Sequence, residues 1–109
     1  MVVFTRTFDF LAWLLPVTNH FPRNHRHSFT QRLLDSAFKL REHIEIANLR
    51  KGRARLEQLH YADEALVCVR FYMRLAHHWK WLTDGQYHHV SQMMLEIGKL
   101  LGGWQKVTV

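Results

Sequence analysis

The sequence predicts an all-α protein, an antiparallel up-down four-helix bundle formed by a single domain over residues 1–109. Apolar residues recur at intervals of three and four along most of the chain, and no segment alternates apolar and polar residues as a strand would. Hydrophobic residues make up 48% of the 109 residues, enough for a packed core. The short connections between the helical segments favour antiparallel neighbours.

The first predicted helix covers about residues 5–20 and is apolar on two sides. Pro16 lacks a backbone donor and predicts a kink near Ala12, and Pro22 ends the helical pattern. The two apolar rows are Phe10, Leu14, Val17 and Phe21, and beside them Phe8, Leu11 and Leu15.

The second predicted helix covers about residues 29–48. Ser28 and Gln31 have the spacing of a capping box, in which each side chain accepts a hydrogen bond from the first-turn backbone. The predicted core row is Phe29, Leu33, Ala37, Leu40, Ile44 and Ala47.

The third predicted helix, about residues 54–80, carries two neighbouring apolar rows and is therefore expected to be covered on more than one side. The first row is Leu59, Ala62, Leu66, Val69, Met73 and Ala76, and the second is Ala65, Cys68, Tyr72, Leu75 and Trp79.

The fourth predicted helix covers about residues 84–104 and begins with a second capping box, formed by Thr83 and Gln86. Gly102 and Gly103 are expected to stop or loosen its last turn. Its core row is Tyr87, Val90, Met94, Ile97, Leu101 and Trp104.

The apolar surplus of the first and third helices predicts a homo-oligomer, because large exposed apolar patches mark interfaces. A thickly packed monomer is the alternative. No membrane association is expected, since the apolar run from Phe10 to Val17 is far shorter than the roughly 20 residues of a membrane span. Cys68 is the only cysteine, so no intramolecular disulfide and no cysteine-based zinc site can form, and a reducing, cytoplasmic location fits.

Lys and Arg number 15 against 9 Asp and Glu, a formal charge of +6 that predicts a polyanionic partner. An up-down bundle brings the first and third connections to one end and the second to the other. The predicted nucleic-acid or partner contacts are Arg23 and Arg26 at the first end, Arg50, Lys51, Arg53 and Arg55 at the other, and Arg70 and Arg74 along the third helix.

Arg70 and Arg74 are i,i+4 neighbours that repel each other unless an acid or an anionic partner compensates. Asp63, two turns before Arg70, is the candidate acid. Near the first end, Trp79, Trp81 and Tyr87 could stack on unpaired bases or simply pack in the core.

No catalytic residue, metal site or cofactor is predicted, because the chain has no HExxH motif, no Gly-rich phosphate loop and no paired carboxylates. Adjacent helical residues point about 100° apart, so neither histidine doublet, 77–78 or 88–89, can chelate one ion from one face, although one histidine from each doublet could converge. One pattern favours an enzyme: Arg70, six residues and His77 resemble the motif of small helical ribonucleases of the HEPN type. Phe71 departs from the polar residue usual there.

The order of several motifs resembles the accessory variability determinant proteins of diversity-generating retroelements, which are relatives of the four-helix proteins encoded in ribosomal-RNA intervening sequences. The similarity runs from about Phe4 to Lys106. It rests on Trp13-Leu14-Leu15-Pro16, Phe21-Pro22-Arg23, His25, Tyr61-Ala62-Asp63, Arg70-Phe71-Tyr72-Met73-Arg74, Ile97-Gly98 and Leu101-Gly102-Gly103-Trp104.

This resemblance implies a homopentameric barrel whose basic surface binds the element's reverse transcriptase and its template-repeat RNA. Catalysis then belongs to the reverse transcriptase. The resemblance implies a binding role for Arg23, Arg70 and Arg74, because their positions match those of the family. The roles expected of the residues from Arg50 to Arg55 rest on charge alone. A purely structural protein–protein interaction bundle is the remaining alternative.

Overall fold

The computed structural model describes residues 1–109 and contains four α-helices and no β-strand, which confirms the all-α class. A 3₁₀ turn at Arg23–His25 and a π-helical turn at Arg26–Thr30 connect the first two helices. No helix combines the length and the apolar character needed to cross a membrane. The helices are α1 Val2–Thr18, α2 Gln31–Leu49, α3 Gly52–His78 and α4 Asp84–Val107.

Contacts at the two ends of the bundle establish its up-down arrangement. At one end Phe4 of α1 meets Trp104 of α4, with ring centroids 6.1 Å apart. At the other end Phe21, just after α1, meets Trp81, just before α4, at 5.7 Å. Helix α1 packs against α2 and α4, and α3 packs against the same two helices. The helices therefore form a four-membered ring with antiparallel neighbours, while its assembly into a pentamer stays a prediction.

One cluster of 23 buried apolar residues forms the core. The predicted rows of α2 and the first row of α3 are buried throughout, and in α4 only Tyr87 of the predicted row is less than fully buried. The heptad-like spacing thus identified the inward faces of three helices correctly.

The second apolar rows of α1 and α3 lie largely outside this core. In α1, Phe8 is 66% exposed and Leu15 40% exposed, whereas Val3 and Thr7 are buried in their place. The hydroxyl of Thr7 donates to the Val3 carbonyl at 2.8 Å, so this polar group is satisfied within its own helix. The exposed rows leave apolar surface for the predicted homo-oligomer to cover.

The predicted capping box at Ser28 is wrong. The chain is already helical before α2, because the π-helical turn runs directly into it and Thr30 has helical backbone angles. No N-terminal amide is left there for Ser28 to cap. Its hydroxyl lies 3.5 Å from His25 Nδ1 instead, and Gln31 Oε1 lies 3.2 Å from His27 Nδ1.

At the start of α4 the second capping box is confirmed, with Thr83 Oγ1 accepting from the Gln86 amide at 3.0 Å. The predicted stop at Gly102 and Gly103 is wrong, since α4 continues to Val107. The buried rings and side chains of Leu101 and Trp104 hold this last part of the helix against the core. That packing outweighs the helix-propensity cost of about 1 kcal/mol per glycine.

Candidate nucleic-acid interface

The connection between α2 and α3 is a two-residue turn, and both residues are basic. Arg50 and Lys51 are exposed, and α3 begins at Gly52 with a φ of +57°, a left-handed angle that glycine adopts without strain. A Cβ on Gly52 would lie 3.1 Å from the Val109 carbonyl oxygen, so the turn also passes close to the end of the chain. The tight turn therefore projects two cations together from this end of the bundle.

The α2–α3 basic cluster is the name used here for Arg50, Lys51, Arg53 and Arg55. One of its members contacts the rest of the fold, and the other three are free at the surface. Arg55 is part of the fold: its Nε donates to the Ala47 carbonyl at 3.0 Å, and its guanidinium lies 5.4 Å from the centre of the Trp104 ring. The other three are exposed and make no ion pair. No acid stands in the first turn of α3, so the positive end of the helix dipole adds to their charge.

At the opposite end, Arg23 and Arg26 lie on the short turns that follow α1. Both are exposed, and both line a cleft of about 620 Å³ between these turns and α2. Asp35 lines the same cleft but forms no ion pair with either arginine. The structure therefore places these two cations on one cleft.

Arg70 and Arg74 have different surroundings although they share one face of α3. Arg70 Nη2 donates to the Met94 carbonyl of α4 at 3.4 Å, and the guanidinium passes over Gly98, where a Cβ would lie only 2.6 Å from Nη2. Asp63 does not form an ion pair with Arg70, because its carboxylate accepts from Gln105 instead. Arg74 is exposed and makes no side-chain hydrogen bond. Neither Arg70 nor Arg74 is therefore compensated by an acid.

Few cations of this surface are neutralised by acids. Only two of the 15 Lys and Arg side chains form ion pairs, Arg6 with Glu96 and Arg41 with Glu45, each at 2.6 Å. The hydrogen bond and charge of Glu96 raise the pKa of Arg6. Near the α2–α3 basic cluster, Glu57 accepts from the Tyr61 hydroxyl, which raises the pKa of Tyr61. The surface therefore keeps most of its positive charge available.

The histidine doublets point in different directions. The His77 ring stacks on Tyr87 with centroids 4.2 Å apart, and its Nε2 lies 2.8 Å from Asp84 Oδ1. The His89 ring packs against Trp13 at 5.6 Å. No group of three or more His, Cys, Asp or Glu side chains has a geometry that could hold a metal ion.

Arg70 and His77 both lie on α3, where each contacts α4. Seven residues of α-helix separate them by about 10 Å along the axis of α3. Each is engaged by a different part of α4, Arg70 by the Met94 carbonyl and His77 by Asp84. The Arg-to-His spacing typical of HEPN-type ribonucleases thus lies within one helix here, and the ribonuclease stays an alternative.

The family model described as bAvd-like matches residues 1–108, nearly the whole chain. The chain belongs to the bAvd-like family. This result confirms the resemblance that the order of motifs indicated.

Solved structures show the fold of this bAvd-like chain in another protein. A crystal structure of a protein of unknown function from the S23 ribosomal protein family of Bacteroides thetaiotaomicron superposes with a TM-score of 0.87 at 18% identity. The similarity covers 97% of this chain and 96% of that one. Among curated proteins no sequence matches.

The bAvd-like chain also carries an aromatic cluster at the same end of the bundle as Arg23 and Arg26. The sequence indicated only two members of this cluster, Trp79 and Trp81. Their rings lie 4.9 Å apart, and Tyr87 lies outside the cluster, against His77. The first and third connections converge here with the last turns of α3, which the spacing within single helices could not reveal. The other members of the aromatic cluster are Phe21, His25, Phe29, Phe71 and Tyr72.

A Schellman motif at the end of α3 positions the two tryptophans of the bAvd-like chain. The Lys80 amide donates to the His77 carbonyl at 3.0 Å, and the Trp81 amide donates to the Ala76 carbonyl at 2.9 Å. Lys80 adopts a φ of 62°, the left-handed geometry that this motif requires. The chain reverses there and carries the Trp81 ring to within 5.2 Å of the Phe29 ring.

Replacing Lys80 with glycine is expected to raise the free energy of unfolding by about 1 kcal/mol, because glycine removes the steric strain of a left-handed residue. Urea unfolding measures the change. Lys80→Ala is the matched control, since it removes the same charge but keeps the strain. Equal stabilities of the glycine and alanine variants would contradict the assignment of strain to this position.

Proposed function

We propose that this bAvd-like chain is a non-catalytic accessory protein that binds a reverse transcriptase and its template-repeat RNA, and so supports mutagenic cDNA synthesis in a diversity-generating retroelement. Family membership supports an accessory role. The observation that carries the RNA-binding part is the scarcity of ion pairs on a basic surface: exposed cations stand at both ends of the bundle with no acid neutralising them.

The chemistry of RNA binding follows from this charge. Each phosphate that a lysine or arginine neutralises releases a condensed counterion, so binding weakens as salt rises. The proposed contacts are Arg23, Arg26, Arg50, Lys51, Arg53, Arg55, Arg70 and Arg74. In the proposed cytoplasmic homopentamer, the formal charge would be 5 × 6 = +30, strongly attractive to RNA.

Within this set, Arg55 and Arg70 are proposed to act differently from the rest. Their guanidinium groups already contact backbone carbonyls, so each can offer a phosphate only its remaining N–H donors. The freely exposed Arg50, Lys51, Arg53 and Arg74 are proposed to make the larger contribution.

A salt series with one labelled structured RNA tests the proposal. Each sample is divided between a native gel and a denaturing gel. We expect a shifted band that fades as salt rises, with the RNA intact on the denaturing gel. Pull-down with a reverse transcriptase of a diversity-generating retroelement then tests the protein partner.

Two results would contradict the proposal. Cleavage of the RNA that is lost in His77→Ala would establish the ribonuclease alternative. Intact RNA without a shift even at low salt would exclude nucleic acid and leave a protein–protein interaction bundle.

A further inference from the structure

We propose that the aromatic cluster holds an unpaired base of single-stranded RNA by stacking, in a cleft beside Trp79. This inference rests on the proposed RNA-binding function and deepens it. The basic ends supply contacts to phosphates, which every RNA offers, whereas this cleft would select for bases that are not paired in a helix.

The cleft has the size and lining of a small-ligand site. Its volume is about 600 Å³, within the usual range of about 300–1,000 Å³ for such sites. It opens between the turn after α1 and the last turns of α3. Its lining includes His25, Arg32, Phe71, Tyr72, Trp79 and Trp81.

Two of these rings are accessible, unlike those that complete the core. Trp79 is 46% exposed and Phe71 55% exposed, whereas Phe29 behind them is 6% exposed. An exposed aromatic surface of this kind is where bases stack in proteins that bind single strands.

The Trp79 ring is held in place before any ligand arrives. It packs against Phe29 in a T-shaped arrangement with centroids 5.7 Å apart, and the Trp81 ring lies 4.9 Å from it. Trp81 is itself stacked on His25 at 5.4 Å. Little side-chain freedom remains to be lost when a base stacks, which favours binding.

Charge distinguishes a nucleotide from an apolar protein segment as the occupant. Arg32 lines the cleft, and no Asp or Glu does. Lys80 is exposed and lies in the chain between the two tryptophans. Cations at the rim of a stacking surface suit a base with its phosphate attached, whereas an apolar helix from a second copy would gain nothing from them.

Fluorescence anisotropy with two labelled strands of equal length and charge tests this inference: an eight-nucleotide oligouridylate and the same strand without bases. One stacked base contributes about 5- to 150-fold in affinity. We therefore expect the wild type to bind the oligouridylate more tightly than the abasic strand by at least the lower of these factors. Trp79→Ala should abolish this preference without weakening abasic binding, and Trp79→Phe should restore most of it.

Further variants separate stacking from folding and from self-association. Phe8→Ala removes an exposed ring of α1 that does not line the cleft. This variant should keep the preference for the strand with bases. Phe71→Ala should reduce it with little loss of stability, because this ring is mostly exposed. Unfolding curves and molar mass are measured for every variant.

Three results would overturn the stacking inference, and they differ in what they mean for the proposed RNA binding. Equal wild-type affinity for both strands would overturn the stacking inference and leave the proposed phosphate binding intact. Absence of binding to either strand at low salt would overturn both proposals. A change of molar mass in Trp79→Ala with an unchanged base preference would show that a second copy occupies the cleft, and would also overturn the inference.

Discussion

Reversing three charges in the α2–α3 basic cluster is expected to weaken RNA binding by about 100-fold or more at low salt. The variant Arg50→Glu, Lys51→Glu and Arg53→Glu takes the formal charge from +6 to 0. It also places carboxylates where phosphates are proposed to bind. The slope of log affinity against log salt should fall by about 2, at roughly 0.7 for each lost contact to a single strand.

The fold should tolerate this variant, because all three side chains are exposed and make no ion pair. A glutamate at position 53 even favours α3, since negative charge is stabilising in the first turn of a helix. The matched control is Lys39→Glu, Lys99→Glu and Lys106→Glu, three exposed lysines whose reversal gives the same formal charge of 0. Equal losses in the two variants would mean that net charge alone, and not this cluster, drives binding.

Replacing Phe29 with alanine is expected to lower the free energy of unfolding by about 3–5 kcal/mol. Phe29 is buried at the centre of the aromatic cluster, and four rings pack against it: Phe21, Tyr72, Trp79 and Trp81. Its removal leaves a cavity beneath the cleft that these rings cannot fill without moving. Urea unfolding followed by circular dichroism measures the loss.

Phe71→Ala is the control for this prediction, because it deletes the same side chain from the same cluster at a position that is 55% exposed. Its expected cost is below about 1 kcal/mol, since an exposed ring gains little from folding. A loss in Phe29→Ala no larger than in Phe71→Ala would show that the aromatic cluster does not contribute to the core.

Helical periodicity was sufficient to predict the four helices, because each inward row is a local pattern that the core then buries. It failed where tertiary contacts override local preference. Trp104 is held by Phe4 and by Arg55, which keeps α4 helical through Gly102 and Gly103. Ser28 has capping chemistry but sits in a turn that is already helical, so its neighbours rather than its own preference decide its role.

The candidate interface was predictable to a similar degree. Topology indicated which cations share an end of the bundle. In the structure Arg23 and Arg26 lie at one end, and the α2–α3 basic cluster lies at the other. The partners of individual side chains were not predictable, because they come from helices distant in the sequence: Arg55 reaches the end of α2, and Arg70 reaches the Met94 carbonyl of α4. The cleft beside Trp79 joins side chains as far apart as His25 and Trp81, a grouping that exists only after folding.

The length of α3 fixes the distance between the two basic ends. Its 27 residues rise about 1.5 Å each, so the α2–α3 turn and the aromatic cluster stand about 40 Å apart on a rigid rod. An oligonucleotide much shorter than this distance can reach only one of them. A longer RNA that touches both must run alongside the helices. Two separate RNA segments held at opposite ends would be kept at a constant spacing, and the subunit would act as a molecular ruler between them.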